Sequence, residues 1–310
     1  MFVIINMMDI VWLHFRGVYQ PHGVFPHQNC MAVAMHVLGA LFFAAYMMKG
    51  LRSFFACLCA VAFLCAAMAT VRSYSRMALA LTPLNYGLAF LLCAVIGRSH
   101  WWLMRILPIA AGGLLVLALM LPRIIERFEN APEASGNTRV ELARCAWEMI
   151  KDEPWRGVGI NNWGIKINPP YEYAERAGRE TNRGEDFADG IVETVYLLVC
   201  AECGIPALAA MLAWFGWYLF KCIALMRRLR GTEWFFVPVG CFCGLLVTYL
   251  QSCLEWVLRQ QLNLICLLFI FAILSYLDGK PSEEVRQDKG RALAPPEGEP
   301  PDMPGQLSAT

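Results

Sequence analysis

The sequence predicts an all-α integral membrane protein of about seven transmembrane helices with one large extracytoplasmic loop. Two observations predict it. Of 310 residues, 58% are hydrophobic and only 16% are charged, a balance that a water-soluble fold cannot bury. The apolar residues also fall in runs near the ~20 residues that cross a hydrocarbon core, without strand-like alternation. Backbone polar groups in lipid must be satisfied within the segment, so such runs are helices.

The spans are expected at 29–48, 53–71, 77–96, 103–121, 191–220, 234–256 and 260–277. They divide the chain into an extracytoplasmic entry segment at 1–28, four helices in 29–121, a large loop at 122–190, three helices in 191–277 and a tail at 278–310. Residues 1–15 (MFVIINMMDIVWLHF) lack a basic start and carry Asp9. They read as the tail of an upstream segment, not as a signal peptide. The tail is rich in Pro, Glu and Gly and has no core to build, so it is expected to be disordered.

Orientation follows from charge. The connections Lys49–Arg52, Gly97–Arg105 and Lys221–Arg230 carry Lys and Arg but no Asp or Glu. They fall on one side if the spans are right, and that side is the cytoplasm. The large loop has ten Lys/Arg against thirteen Asp/Glu, so it is no positive anchor and is expected outside. The tail is then cytoplasmic.

The net charge of +1 gives no case for nucleic-acid binding. Most of the thirteen cysteines lie in apolar runs as small packing residues. Cys200 and Cys203 make a lone CxxC in an apolar helix, with no second pair to complete a zinc site. Cys30 and Cys145 lie outside the apolar runs. His22 and His27 have no carboxylate or thiol beside them, so no metal is expected.

Inside the loop, Thr138-Arg-Val-Glu141 has capping-box spacing. A helix is therefore expected to start near Asn137 or Thr138, with Val140, Ala143, Trp147 and Ile150 on its apolar face and Pro154 past its end. Gly157-Val-Gly159 then makes a tight turn. Residues 164–190 are expected to be irregular.

Three residues bear on chemistry. Arg76 closes a Ser-Tyr-Ser-Arg link between two spans. It is either a snorkelling helix-end Arg or an anion clamp. Arg139 is either a solvated Arg in the first turn of a helix, where the macrodipole disfavours it, or a phosphate ligand. Glu193 opens an apolar helix, where it is either a cap or a functional carboxylate at the membrane boundary. Glu202 lies deeper and needs a partner or water. Asp186 and Asp189 are nearby substitutes.

Several stretches resemble the O-antigen ligase/polymerase superfamily of bacterial membrane glycosyltransferases. Arg16…Gly23-Val-Phe25-Pro-His-Gln-Asn29 resembles its helix-entry motif, and Ser75-Arg76 its Ser-Arg pair. Arg139…Trp147…Ile150-Lys-Asp152-Glu-Pro154-Trp-Arg-Gly157-Val-Gly159…Asn162 resembles its loop signature. Glu193-Thr194, nine residues, then Gly204-Ile-Pro-Ala207 keeps the spacing of the ligase motif, and Tyr196 and Glu202 stand where relatives have an aromatic and a Glu. The motif's His is here Glu193, and no His follows His100.

The resemblance, over residues 16–277, implies a GT-C-like fold. It implies transfer of glycan from an undecaprenyl-diphosphate donor to a lipid-linked or growing-chain sugar hydroxyl, at the periplasmic face of the inner membrane and without a cofactor. Arg76 and Arg139 would hold the diphosphate, and Glu193 would be the base. Arg16, Asn29, Asn162, Tyr196 and Glu202 would bind substrate. Relatives usually have about a dozen helices, so further helices are expected upstream. An inactive relative and a transporter remain alternatives; a transporter would show paired broken helices in matching halves, and none are seen.

Overall fold

The computed structural model describes residues 1–18, 20–48, 54–97, 102–129, 133–179 and 190–280, and every regular element among them is helical. The Lys49–Arg52 connection, residues 98–101 of the next one, Asp186, Asp189 and the tail beyond 280 lie outside the described residues.

At the centre is α2 (Gln28–Met48), buried along most of its length. Around it pack α3 (Phe54–Arg72), α4 (Arg76–Val95) and α10 (Phe236–Gln251), and α1 (Phe2–Phe15) lies on α3. Small residues let α2 and α10 approach closely. A Cβ on Gly240 would lie 2.5 Å from Leu41 Cα, and one on Gly244 2.8 Å from Val37 Cα. Without a hydrophobic driving force between helices in lipid, such close packing is a main source of association. Polar ties add to it: His36 Nε2 is 3.1 Å from Thr82 Oγ1, and Asn85 Nδ2 donates to the His36 carbonyl at 2.9 Å. Cys30, read as outside the apolar runs although the expected span 29–48 contains it, is buried here on α2.

Six helices among the described residues are long and apolar enough to cross a membrane: α2, α3, α4, α9 (Val195–Arg228), the helix ending in α10, and α11 (Gln261–Gly279). The chain is thus a multi-pass, all-α membrane protein. The other expected span, 103–121, falls within α5 (Trp102–Glu129), whose described apolar stretch is Leu103–Leu114. Arg105 of α5 is buried and donates to the Tyr46 carbonyl at 2.9 Å and to that of Met47. These carbonyls end α2 and have no partner within it.

The last turns of α9 differ from expectation. Lys221, Arg227 and Arg228, expected in the connection Lys221–Arg230, lie on the helix itself. The helix can continue because its charges are met: Lys221 pairs with Asp278 at 3.2 Å, and Arg228 donates to the Asp278 carbonyl at 2.9 Å.

Among its described residues, the large loop is more regular than expected. Its helix α6 spans Glu133–Asp152, so Thr138 lies inside it and is not its cap. The buried face is Leu142, Cys145, Ala146, Met149 and Ile150; Val140 and Trp147 are more than half exposed. Cys145 therefore sits in a core, joined by two short helices, α7 (Trp163–Lys166) and α8 (Tyr173–Arg176), and by Leu198 and Ala201 of α9.

Candidate functional site at one end of the bundle

The loop signature that ends at Asn162 meets the motif Glu193–Ala207. Within α9, Gly204 adopts φ 84° and ψ 171°, which breaks the helix. Pro206 has no N–H to return to the Glu202 carbonyl, and Ile205 N donates instead to the Pro154 carbonyl at 2.8 Å. The freed carbonyls are taken by the loop: Val158 N donates to Ala201 O at 2.8 Å and Gly159 N to Glu202 O at 2.9 Å. Contact is tight. A Cβ on Gly157 would lie 2.4 Å from the Glu202 carbonyl carbon, and one on Gly204 2.5 Å from the Trp155 oxygen.

This joint also accounts for Glu202 and Asn162. Glu202 is buried, and its Oε1 accepts from Trp163 N at 3.2 Å. Asn162 Nδ2 donates to the Val158 carbonyl at 3.1 Å. Both hold the joint together. Docking of the loop fixes the direction of α6, which carries Arg139 back to the start of α9. An ion-paired cluster braces the far side, where Asp152 Oδ2 accepts from Tyr173 Oη at 3.0 Å and Arg176 Nη2 reaches Asp152 Oδ1 at 3.1 Å. The Arg176 guanidinium holds the Asp152 carboxyl below its usual range.

The start of α9 is fixed from α10. Val195 N donates to the Ser252 carbonyl at 3.1 Å and Thr194 Oγ1 to the same oxygen at 3.4 Å. Tyr196 Oη donates to the Tyr249 carbonyl at 2.8 Å, which is a helix–helix tie. Glu193 stands just before the helix and forms an ion pair with Arg139 Nε. Arg139 lies well inside α6, so no adverse helix-end dipole acts on it. The two side chains are 35% and 32% exposed, which leaves the pair open to a ligand.

Arg76 is delivered by the turn between α3 and α4. Ser73 Oγ donates to the Thr70 carbonyl at 2.7 Å and accepts from Ser75 N at 3.2 Å. Tyr74 takes a left-handed φ of 50°. Ser75 Oγ caps α4 by accepting from Ala78 N at 3.4 Å. Arg76 is the first residue of that helix, and among the described residues no ion pair engages it.

Arg76, Arg139, Glu193 and Asn29 line one cavity of about 260 Å³. Glu255 and Ser75 line it too. Glu255 is buried after the end of α10, accepting from Gln251 Nε2 at 2.7 Å and from Ser75 Oγ at 3.3 Å. Burial pushes its carboxyl above the usual range, against the hydrogen bonds from Gln251 and Ser75 and the charge of Arg139. His27 also lines the cavity. Burial and the neighbouring His22 hold its imidazole below the usual value. Its Nδ1 accepts from Asn29 N at 3.2 Å, so its Nε2 is left as a donor.

The remaining expectations fall elsewhere. Arg16 is exposed and stacks over Trp12 at 4.9 Å, apart from the cavity. Tyr196, Glu202 and Asn162 hold helices and loop together. Beyond the turn Val257–Arg259 lies a second, apolar cavity of about 430 Å³, lined by Leu198, Trp214, Phe215 and Leu267 among others. Arg259 lies at it and donates to Asn161 Oδ1.

Residues 60–212 match a family model described as O-antigen ligase. The match runs from α3 to beyond the kink in α9 and so includes Arg76, Arg139 and Glu193. No curated protein sequence matches the chain.

Proposed function

Starting from a chain that belongs to the O-antigen ligase/polymerase family, we propose that it transfers glycan from a polyprenyl-diphosphate donor to a sugar hydroxyl. The observation that carries this is the Arg139–Glu193 ion pair in a cavity shared with Arg76. Two guanidinium groups suit a diphosphate, whose oxygens they can bind bidentately. The donor diphosphate competes with Glu193 for Arg139. Once displaced, the carboxylate is free to accept a proton.

In the transfer step, the acceptor oxygen forms a bond to the anomeric carbon while the bond from that carbon to the diphosphate breaks. The hydroxyl proton goes to Glu193. The diphosphate leaves with the electron pair, and Arg76 and Arg139 stabilise its charge. His27 contributes a donor, which leaves proton acceptance to a carboxylate. The neighbouring apolar cavity suits the hydrocarbon chain of the donor. Asn29 is suited to hydrogen-bond a sugar. We place this end of the bundle at the periplasmic face of a bacterial inner membrane, because Lys221, Arg227, Arg228 and Arg230 mark the opposite end as cytoplasmic.

The test is glycan transfer in cells that lack their own enzyme. Arg76→Ala and Glu193→Gln should each abolish transfer while the protein stays in the membrane. Undiminished transfer by both would sink the reading.

A further inference from the structure

Glu255 is a buried carboxylate that nothing in the transfer step uses, and it touches Ser75, the residue between Tyr74 and Arg76. Its Oε1 accepts from Ser75 Oγ, its Oε2 from Gln251 Nε2. Ser75 in turn caps α4, whose first residue is Arg76. Ser252, next to Gln251, holds Thr194 and Val195 through its carbonyl. The end of α10 thus grips both Arg76, through Glu255 and Ser75, and the residue following Glu193.

We propose that Glu255 is a positioning residue that holds Arg76 in place for the donor diphosphate. The inference rests on the reading of Arg76 as a diphosphate ligand. The turn needs such a hold. It carries Tyr74 in a left-handed conformation that a bulky residue adopts only when its surroundings impose it. Loss of the Glu255 acceptor leaves the Ser75 hydroxyl to turn elsewhere and loosens the first turn of α4. Among the described residues Gln251 Oε1 meets no partner at hydrogen-bond geometry, though the Gln251 side chain lies beside His36, so a Gln at 255 can be accommodated by a flip of the Gln251 amide. Glu255→Gln therefore keeps an acceptor for Ser75 while removing the charge.

Electrostatics alone gives the opposite expectation. Arg139 and Glu193 both act on Glu255 through space. Deleting a negative charge this close to a diphosphate site should tighten binding of a diphosphate. Positioning predicts that Glu255→Ala weakens it.

The experiment measures binding of farnesyl diphosphate to the full-length protein in detergent micelles, each variant first shown to be monodisperse. Arg76→Ala should weaken binding by about tenfold or more. Glu255→Ala and Ser75→Ala should each weaken it several-fold, and together no more than either alone. Glu255→Gln should bind as well as the unaltered protein, or better. In the Arg76→Ala background, Glu255→Ala should have no further effect. Unchanged or tighter binding by Glu255→Ala overturns the proposal, as does equal weakening by Glu255→Gln or an additive loss in the Arg76→Ala background. If Arg76→Ala itself binds normally, the diphosphate reading of Arg76 fails first, and this inference with it.

Discussion

Arg139 and Glu193 are ion-paired although one sits inside the loop helix α6 and the other precedes the membrane helix α9. The pair joins loop to bundle at the cavity, and it neutralises both candidate groups until a ligand separates them. Glu193→Gln should lower transfer by about 100-fold or more, the usual contribution of a general base. Arg139→Lys keeps the charge but loses the planar fork, and should retain part of the activity. Initial rates of glycan transfer in membrane vesicles, corrected for protein amount, check both. Equal activity of Glu193→Gln and the parent would move the base elsewhere, with Glu255 the next candidate.

The helices, and the residues that face one another in the cavity, were legible in the sequence to different degrees. Long apolar runs reveal spans because lipid demands them. Arg76 and Glu193 stood out because a charge beside an apolar run is costly unless it has a purpose, and Arg139 because an Arg in the first turn of a helix opposes the macrodipole. Glu255 falls at the end of the expected span 234–256, where nothing in the local sequence marks it. Its meaning depends on Ser75, far away in the chain. Glu202 and Asn162 were expected to bind substrate only through the resemblance, and their hydrogen bonds in the loop–kink joint exist only after folding. The start of α6 was misplaced because Thr138-Arg-Val-Glu141 imitates a cap while lying inside a longer helix.

The loop–kink joint has no room for side chains. A Cβ at Gly157 or Gly204 would meet backbone atoms at 2.4 and 2.5 Å, where φ is 66° and 84°. Backbone cannot yield as a flexible side chain does. Gly157→Ala and Gly204→Ala should each cost about 2–4 kcal/mol through overlap and left-handed strain. Thermal unfolding in detergent checks this, with Gly164→Ala as a control, since its Cβ would meet nothing within 4 Å.

Glu202 should behave as a structural acceptor. Its side chain serves the Trp163 amide, and Trp163 is itself buried with its Nε1 donating to the Gly190 carbonyl at 2.9 Å. Glu202→Gln keeps an acceptor and should preserve both stability and transfer. Glu202→Ala leaves a buried N–H unpaired and should lower stability by about 1–3 kcal/mol. Loss of transfer in Glu202→Gln, with the protein equally stable, would return Glu202 to the substrate site.

Glu255 gives the fold a pH dependence of definite sign. Its carboxyl is raised above the ordinary value mainly by burial. A group that holds its proton more tightly folded than unfolded contributes stability below its unfolded value, and that contribution is lost as pH rises through its folded value. The hydrogen bonds from Gln251 and Ser75 and the charge of Arg139 limit the shift, while Glu193 adds to it. Glu255→Gln cannot ionise, so it lacks this loss. Its melting temperature should exceed that of the parent most at neutral pH, and the gap should close as pH falls toward the ordinary carboxylate range. Thermal unfolding of both proteins in one detergent across that range measures the gap. A gap that widens on acidification would mean that Glu255 is stabilised as a carboxylate, and that Arg139 outweighs burial.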